Sequence, residues 1–223
     1  MVKIAIDGPA GAGKSTIAKM LSKELLFQYV DTGAMYRGAA YLLKFYNISI
    51  NELQDVLKEA SFDFINDSGN NKLLIISKDK KFILDKELRT PEISEMAGKI
   101  SRYEAIREVF VRKQKEVANR RSSVIEGRDI ATAVSPDATI KIFLTASIEE
   151  RAKRRFTEWK NMGINVTYEE VLKSIKERDE IDRTRECSPL VKVSDAILID
   201  TTDLDLNQVV EKIKVLLRER NIS

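Results

Sequence analysis

Residues 8–16 read Gly8-Pro9-Ala10-Gly11-Ala12-Gly13-Lys14-Ser15-Thr16, a match to the G-x-x-x-x-G-K-[ST] pattern of a phosphate-binding loop. The apolar run Val2-Lys3-Ile4-Ala5-Ile6-Asp7 precedes it and reads as a buried strand. Residues 17–26 follow it and read as an amphipathic helix. Strand, glycine loop and helix form the context in which this pattern works. Glycines let the backbone bend toward an anion, and the helix N-terminus faces it with N–H groups. Gly8, Gly11, Gly13, Lys14, Ser15 and Thr16 are therefore expected to hold ATP. Lys14 is expected at the β- and γ-phosphates, with the Ser15 hydroxyl on Mg²⁺.

Outward from the loop, residues 27–31 read as a second short strand, and a helical run extends to about Tyr46. Residues 51–60 read as a short helix with Asn51 as N-cap. Three apolar runs between 62 and 84, separated by Asp67-Ser68-Gly69-Asn70-Asn71 and Lys78-Asp79-Lys80-Lys81, read as an inserted antiparallel meander. Helices are expected over 91–98 and 102–121, where Ile106, Val109, Phe110 and Val117 share one face. Strands are expected at 123–126, 140–144 and 195–200, and helices at 148–161, 167–185 and 206–220. The fold class is thus α/β, a P-loop NTPase-type parallel sheet of about five strands flanked by helices. In such sheets ligands sit beyond the carboxyl ends of the strands. That gathers residues 8–16, 31–37, 127–129 and the segment after Leu144 into one crevice.

Composition narrows the chemistry. The 223 residues suit one substantial core, 43% of them hydrophobic and 33% charged. No apolar run is long enough to span a membrane, and a strand starting at residue 2 leaves no room for a signal peptide. One cysteine, Cys187, allows no internal disulfide and fits a reducing cytoplasm. The absence of histidine removes the usual zinc sites and imidazole acid–base chemistry. A net charge of +3 does not argue for nucleic acid. Residues 151–185 hold ten Lys/Arg against seven Asp/Glu, either a solvated helical face or a surface that meets phosphates. Aromatic residues there are confined to Phe156, Trp159 and Tyr168, which read as helix packing, not as base-stacking platforms.

Other features select among users of such a loop. No Asn-Lys-x-Asp element reads guanine, and no apolar strand ends in Asp-Glu as in many motor ATPases. Instead, arginines stand at strand ends and on helices. Arg37 lies one turn beyond Gly33, and a planar bidentate donor there suits an acceptor phosphate. Arg128 and Asp129 emerge together from a core strand. Arg178, Asp182 and Arg185 share a helical face, a spacing that equally fits an ordinary surface salt bridge. Arg151, Arg154 and Arg155 also cluster, and a solvated face has the same pattern. At this level the acceptor remains open among nucleoside monophosphates and small alcohols.

Five stretches go further: 8–16, Asp31-Thr32-Gly33-Ala34-Met35-Tyr36-Arg37, Leu88-Arg89-Thr90-Pro91-Glu92-Ile93, Gly127-Arg128-Asp129 and 175–183, joined by Ser188-Pro189-Leu190. Together, in order along the chain, they resemble the bacterial cytidylate kinase family. The resemblance implies transfer of the ATP γ-phosphate to CMP or dCMP, with Mg²⁺ accompanying ATP, in a cytoplasmic monomer of nucleotide salvage. It divides the chain into a core (1–31, 100–147, 186–223), a nucleoside-monophosphate region (32–99) carrying the meander, and a helical lid near 148–166, with 167–185 returning to the core. Lys14, Arg128, Arg154 and Arg155 become the catalytic set. Arg37 and Arg128 are implied at the acceptor phosphate. Thr32, Arg107, Asp129 and Arg185 are implied around the cytosine, Arg178 and Asp182 at the sugar, and Tyr36 among the residues that bind CMP. Two positions depart from the family: Thr32 stands where Ser is frequent, and Gly98 where Ser is usual. A sugar contact through that serine hydroxyl does not carry over, which leaves Asp182 to read the ribose.

Overall fold

The computed structural model describes residues 1–67, 70–220 and 222. Five parallel strands form the central sheet: β1 (Lys3–Asp7), β2 (Gln28–Asp31), β6 (Ser123–Gly127), β7 (Ile140–Thr145) and β8 (Ile197–Asp200), in spatial order β2-β6-β1-β7-β8. The register pairs Asp7 with Gly127 and Asp31 with Glu126, so the strands deliver these residues to one edge. Side chains alternate across the sheet. Ile4, Ile6, Val124 and Ile142 pack on one face with α1 (Lys14–Glu24) and α8 (Leu206–Arg218). Ala5, Val30 and Ile125 face the other way, toward α2 (Thr32–Tyr46) and α5 (Glu104–Ala118). Each fully buried aliphatic chain of this kind contributes about 1.5–3 kcal/mol.

The expected meander is present as β3 (Ser61–Asp67), β4 (Asn70–Ser77) and β5 (Lys80–Leu84). Phe62, Phe64, Leu73, Ile75, Phe82 and Leu84 point inward and join the α2–α5 core cluster. Lys78 and Asp79 both have positive φ, 47° and 61°, the two-residue turn that matches strand twist. The other expected turn, at Ser68-Gly69, lies outside the described residues.

Boundaries shift where capping decides them. The helix expected from Asn51 is α3 (Ile50–Glu59), and its N-cap is Ser49, which forms a capping box with Glu52. The helix after the glycine loop already starts at Lys14, because Gly13 caps it in a left-handed conformation. α4 (Pro91–Ile100) runs two residues further than expected and α5 stops at Ala118. Two short turns were not expected: a 3₁₀ turn at Lys86–Arg89 and a π turn at Ile130–Val134.

After β7 the chain forms α6 (Ile148–Asn161) and α7 (Tyr168–Thr184). Their contact is a small separate cluster: Ala152, Val171 and Ile175, with Phe156, Trp159 and Tyr168 against it. The aromatic residues of 151–185 are thus packing residues, as their spacing suggests. No helix among the described residues is long and apolar enough to cross a membrane.

Candidate active site

The glycine loop leaves β1 against β7. A Cβ on Gly8 would lie 2.0 Å from the Leu144 carbonyl oxygen, so a side chain cannot fit there. Lys14, the first residue of α1, is buried and donates to the Pro9 carbonyl at 2.7 Å. Burial first, and then the nearby Arg128 charge, lower its pKa to about 7. Ser15 and Thr16 are exposed at the start of α1. The Ser15 hydroxyl donates to Glu126 Oε1 at 2.6 Å, and the Tyr29 hydroxyl donates to the same oxygen at 3.1 Å. Burial and the adjacent Asp31 and Glu126 charges push the Tyr29 phenol well up, so it stays a donor.

Under the loop, Arg151 donates to the Ala146 and Ala10 carbonyls and pairs with Asp179 at 2.6 Å. This splits the Arg151/Arg154/Arg155 group by role. Arg151 is buried and supports the loop from below. Arg154 donates to Thr201 Oγ1 and O at 3.0 and 2.6 Å, just past β8. Arg155 stacks over Trp159 at 5.0 Å and bonds Glu158. Its pKa is lowered by loss of surrounding water, with Glu158 opposing and the Arg37 and Arg128 charges adding to the fall. The Arg37 and Arg128 charges, from α2 and the end of β6, thus act on a guanidinium carried by α6.

Arg37 extends back along α2 to Asp31 at 3.0 Å. Asp31 caps that helix by accepting from Ala34 N at 2.7 Å, so one carboxylate orders both the helix start and the arginine. Thr32 is buried, and its hydroxyl donates to the Glu126 carbonyl at 2.7 Å. Tyr36 packs on Phe110 with ring centroids 4.5 Å apart, and Arg107 lies 5.9 Å from its ring centre.

Two carboxylates organise the remaining arginines. Asp129 Oδ2 accepts from the buried Arg107, while Oδ1 lies 4.0 Å from Arg185. Asp182 is fully buried on α7. Its Oδ2 accepts from Arg128 at 2.8 Å and Arg178 at 3.2 Å, and its Oδ1 lies 3.6 Å from Arg185. Burial alone would raise its pKa, but the three guanidinium groups outweigh this and hold it below the usual carboxylate range. The Arg178–Asp182 spacing is thus no surface salt bridge. It belongs to a buried hub, and breaking such a hub by removing one partner costs about 3–5 kcal/mol. Arg185 stands just beyond α7 as its C-cap; its Nε donates to the Ser188 carbonyl at 2.7 Å, while its terminal nitrogens lie toward Asp182 and Asp129.

Several site residues carried no assignment from the sequence. Glu126 was visible as an acidic strand end beside the glycine-loop strand, a usable signal. Tyr29, Asp179 and Thr201 had none, because only the register and the α6–α7 pairing bring them in. Asp7, the last residue of β1, accepts from the backbone N–H groups of Ile130 and Ala131 at 2.9 and 2.8 Å.

Residues 4–219 match the family model described as cytidylate kinase. The cytidylate kinase of Caldanaerobacter subterraneus subsp. tengcongensis is 47% identical over 218 residues, covering 98% of this chain and 95% of that protein. That of Carboxydothermus hydrogenoformans is 43% identical over 223 residues, covering 99% of each. Among solved structures, shikimate kinase from Bacteroides thetaiotaomicron superposes with a TM-score of 0.50 at 16% identity, covering 97% of this chain and 98% of that one, a likeness of fold.

Proposed function

Since the chain belongs to the cytidylate kinase family and phosphorylates CMP and dCMP with ATP, we propose that the arginines at the carboxyl edge of the sheet divide this transfer between them. The carrying observation is the buried hub in which Asp182 pairs with Arg128 and Arg178 and lies 3.6 Å from Arg185, with the Arg128 charge also acting on Lys14. Positive groups so close, with Lys14 lowered in pKa by burial and by one of them, form a pocket whose charge is balanced best by phosphates.

ATP binds along residues 8–16, with Gly8, Gly11 and Gly13 shaping the loop and Lys14 leaving the Pro9 carbonyl for the β- and γ-phosphates. Arg37 and Arg128 turn from Asp31 and Asp182 to the CMP phosphate. That phosphate has a second pKa of about 6, so it attacks as a dianion without a general base. The absence of histidine is therefore no obstacle. The barrier is repulsion between two polyanions, which Lys14, Arg128 and Arg155 neutralise while holding donor and acceptor in line. Arg154 stays beside the donor loop, held on Thr201. Closure of the lid near 148–166 excludes water, which would otherwise take the phosphoryl group.

Asp129 accepts from the exocyclic amino group of cytosine, where uracil presents a carbonyl. Thr32, Tyr36, Arg107 and Arg185 frame that base, and Arg178 and Asp182 the sugar. The residues present fit Mg²⁺ as a companion of ATP. Ser15 and Glu126 put one hydroxyl and one carboxylate beside the loop, and no group of three or more acidic or sulfur ligands stands ready among the described residues. Bound with the nucleotide, Mg²⁺ would be held by the Ser15 hydroxyl, with Glu126 behind it, and would supply neutralisation of phosphate charge. A monomer in the cytoplasm suits these small substrates and the single free thiol.

Phosphoryl transfer to CMP, dCMP, UMP and AMP, measured side by side, tests this division. Strong transfer to CMP and dCMP with little to UMP or AMP is expected. Equal turnover of UMP would overturn the role given to Asp129.

A further inference from the structure

Asp7 immediately precedes Gly8 in the chain, which places it at the root of the ATP loop. Its side chain serves the other half of the site. Only 2% exposed, it accepts with its two carboxylate oxygens from the N–H groups of Ile130 and Ala131, with the Lys14 and Asp129 charges also acting on it. Those two residues open the π turn that follows Arg128 and Asp129. Asp129 has non-helical backbone angles and its side chain makes no capping bond; the turn's own bonds, from the Thr132 hydroxyl and the Ala133 and Val134 N–H groups, run to the Asp129 carbonyl and leave the Ile130 and Ala131 N–H groups to Asp7. Two charge-assisted hydrogen bonds from one buried carboxylate over-determine the position of that backbone. The residues immediately before it are Arg128, on the acceptor phosphate, and Asp129, on the cytosine.

We propose that Asp7 is a positioning residue for the acceptor nucleotide, clamping the backbone at Ile130 and Ala131 so that Arg128 and Asp129 stand where CMP needs them. The inference rests on the acceptor assignment above. Its consequence runs against chain proximity: a change beside the ATP loop is felt mainly by CMP. The energetics agree with a role other than stability. Burial, opposed by the two backbone bonds, raises the Asp7 pKa to about 6. Holding it ionised at neutral pH therefore costs the fold free energy.

Asp7→Asn is the informative variant. It keeps the size of the side chain but offers one acceptor oxygen to two N–H groups and turns an amide donor toward the second. The expected result is a KM for CMP and dCMP raised at least about tenfold, since a misplacement near 1 Å can cost more than that. KM for ATP should stay within about twofold, with the far-UV spectrum unchanged. A KM for ATP that rises as much as that for CMP, or no change in either, overturns the proposal. Arg128→Lys, assayed in parallel, separates the two layers. If it leaves KM for CMP untouched, the acceptor assignment itself falls. If it raises that KM while Asp7→Asn does not, only the role of Asp7 falls. Should Asp7→Asn not fold, amide exchange on the unaltered protein decides. The Ile130 and Ala131 amides should slow on CMP binding and not on ATP binding alone, and the reverse order overturns the proposal.

Discussion

The Ser15 hydroxyl donates to Glu126 Oε1 at 2.6 Å, joining the first turn of α1 to the carboxyl end of the neighbouring strand. A serine whose proton is held this way keeps its lone pairs for a cation, and Tyr29 holds the same carboxylate oxygen from the far side. Outer partners of this type are worth about 10–100-fold in metal affinity. Glu126→Gln should raise the Mg²⁺ concentration for half-maximal activity by about that factor. Calorimetry of metal-free ATP binding should show no matching change. An unaltered Mg²⁺ requirement would remove Glu126 from the metal side of the site.

Lys14 has a pKa near 7 in the nucleotide-free protein, so at pH 8 it is mostly neutral. Phosphates beside it restore the charge. ATP binding at pH 8 should therefore take up close to one proton, read from binding enthalpies in buffers of different ionisation heat. Lys14→Ala should abolish both the uptake and the transfer while leaving the fold intact. Proton uptake that persists in the variant would assign it elsewhere.

Asp129 serves two partners, and the choice of substitution matters. Asp129→Ala leaves Arg107 buried and uncompensated, at a cost of about 3–5 kcal/mol, so lost activity there would be ambiguous. Asp129→Asn keeps an acceptor for Arg107 and removes the charge. It should shrink the preference for CMP over UMP, as a ratio of kcat/KM, by at least about tenfold, because a base-reading contact is worth far more than that when correctly paired. Equal losses on both substrates would separate Asp129 from base reading.

Gly98 lies inside α4, and a Cβ there would come 2.6 Å from Arg178 Nη1. Glycine inside a helix costs about 0.5–1 kcal/mol against alanine. Gly98→Ala should displace Arg178 from Asp182, raise KM for CMP several-fold and lower the thermal midpoint, because loss of a partner from the buried hub outweighs the helical gain. An unchanged KM would show that Arg178 accommodates the methyl group without leaving the hub.

The Asp7 carboxyl titrates near 6 when folded, above its ordinary value of 3.8. The folded state therefore binds the extra proton, and its ionisation cost is fully present above about pH 6 and relieved as pH falls toward 3.8. Asparagine carries no such cost. Denaturant unfolding of Asp7→Asn and of the unaltered protein should show the variant gaining in relative stability between pH 5 and pH 8, on the order of 1–3 kcal/mol. A difference independent of pH would mean that Asp7 titrates outside this window.

Most of the architecture was legible because it rests on local pattern. Alternating strands and helices set the parallel sheet, and the glycine loop set its first crossing. The apolar runs at 62–84 gave the meander. Helix ends were less legible: Ser49 outcompeted Asn51 as a cap because its side chain and that of Glu52 satisfy each other's backbone. Within the site, Lys14, Ser15, Arg37 and Asp129 could be named from motif and position. Glu126, Tyr29 and Asp179 could not, since each acts through a partner more than twenty residues away.

The sequence by itself determined the phosphate loop, the fold class and the residue types available for transfer, because glycine spacing and apolar periodicity act over a few residues. Only the tertiary structure decided how the arginines are used. Asp182 gathers Arg128, Arg178 and Arg185 while Asp129 holds Arg107. Arg151, in the same helix-face cluster as Arg155, goes under the loop instead of into the crevice. Charge pairing over distance depends on burial and strand register, and a buried carboxylate draws every cation that the fold brings within reach.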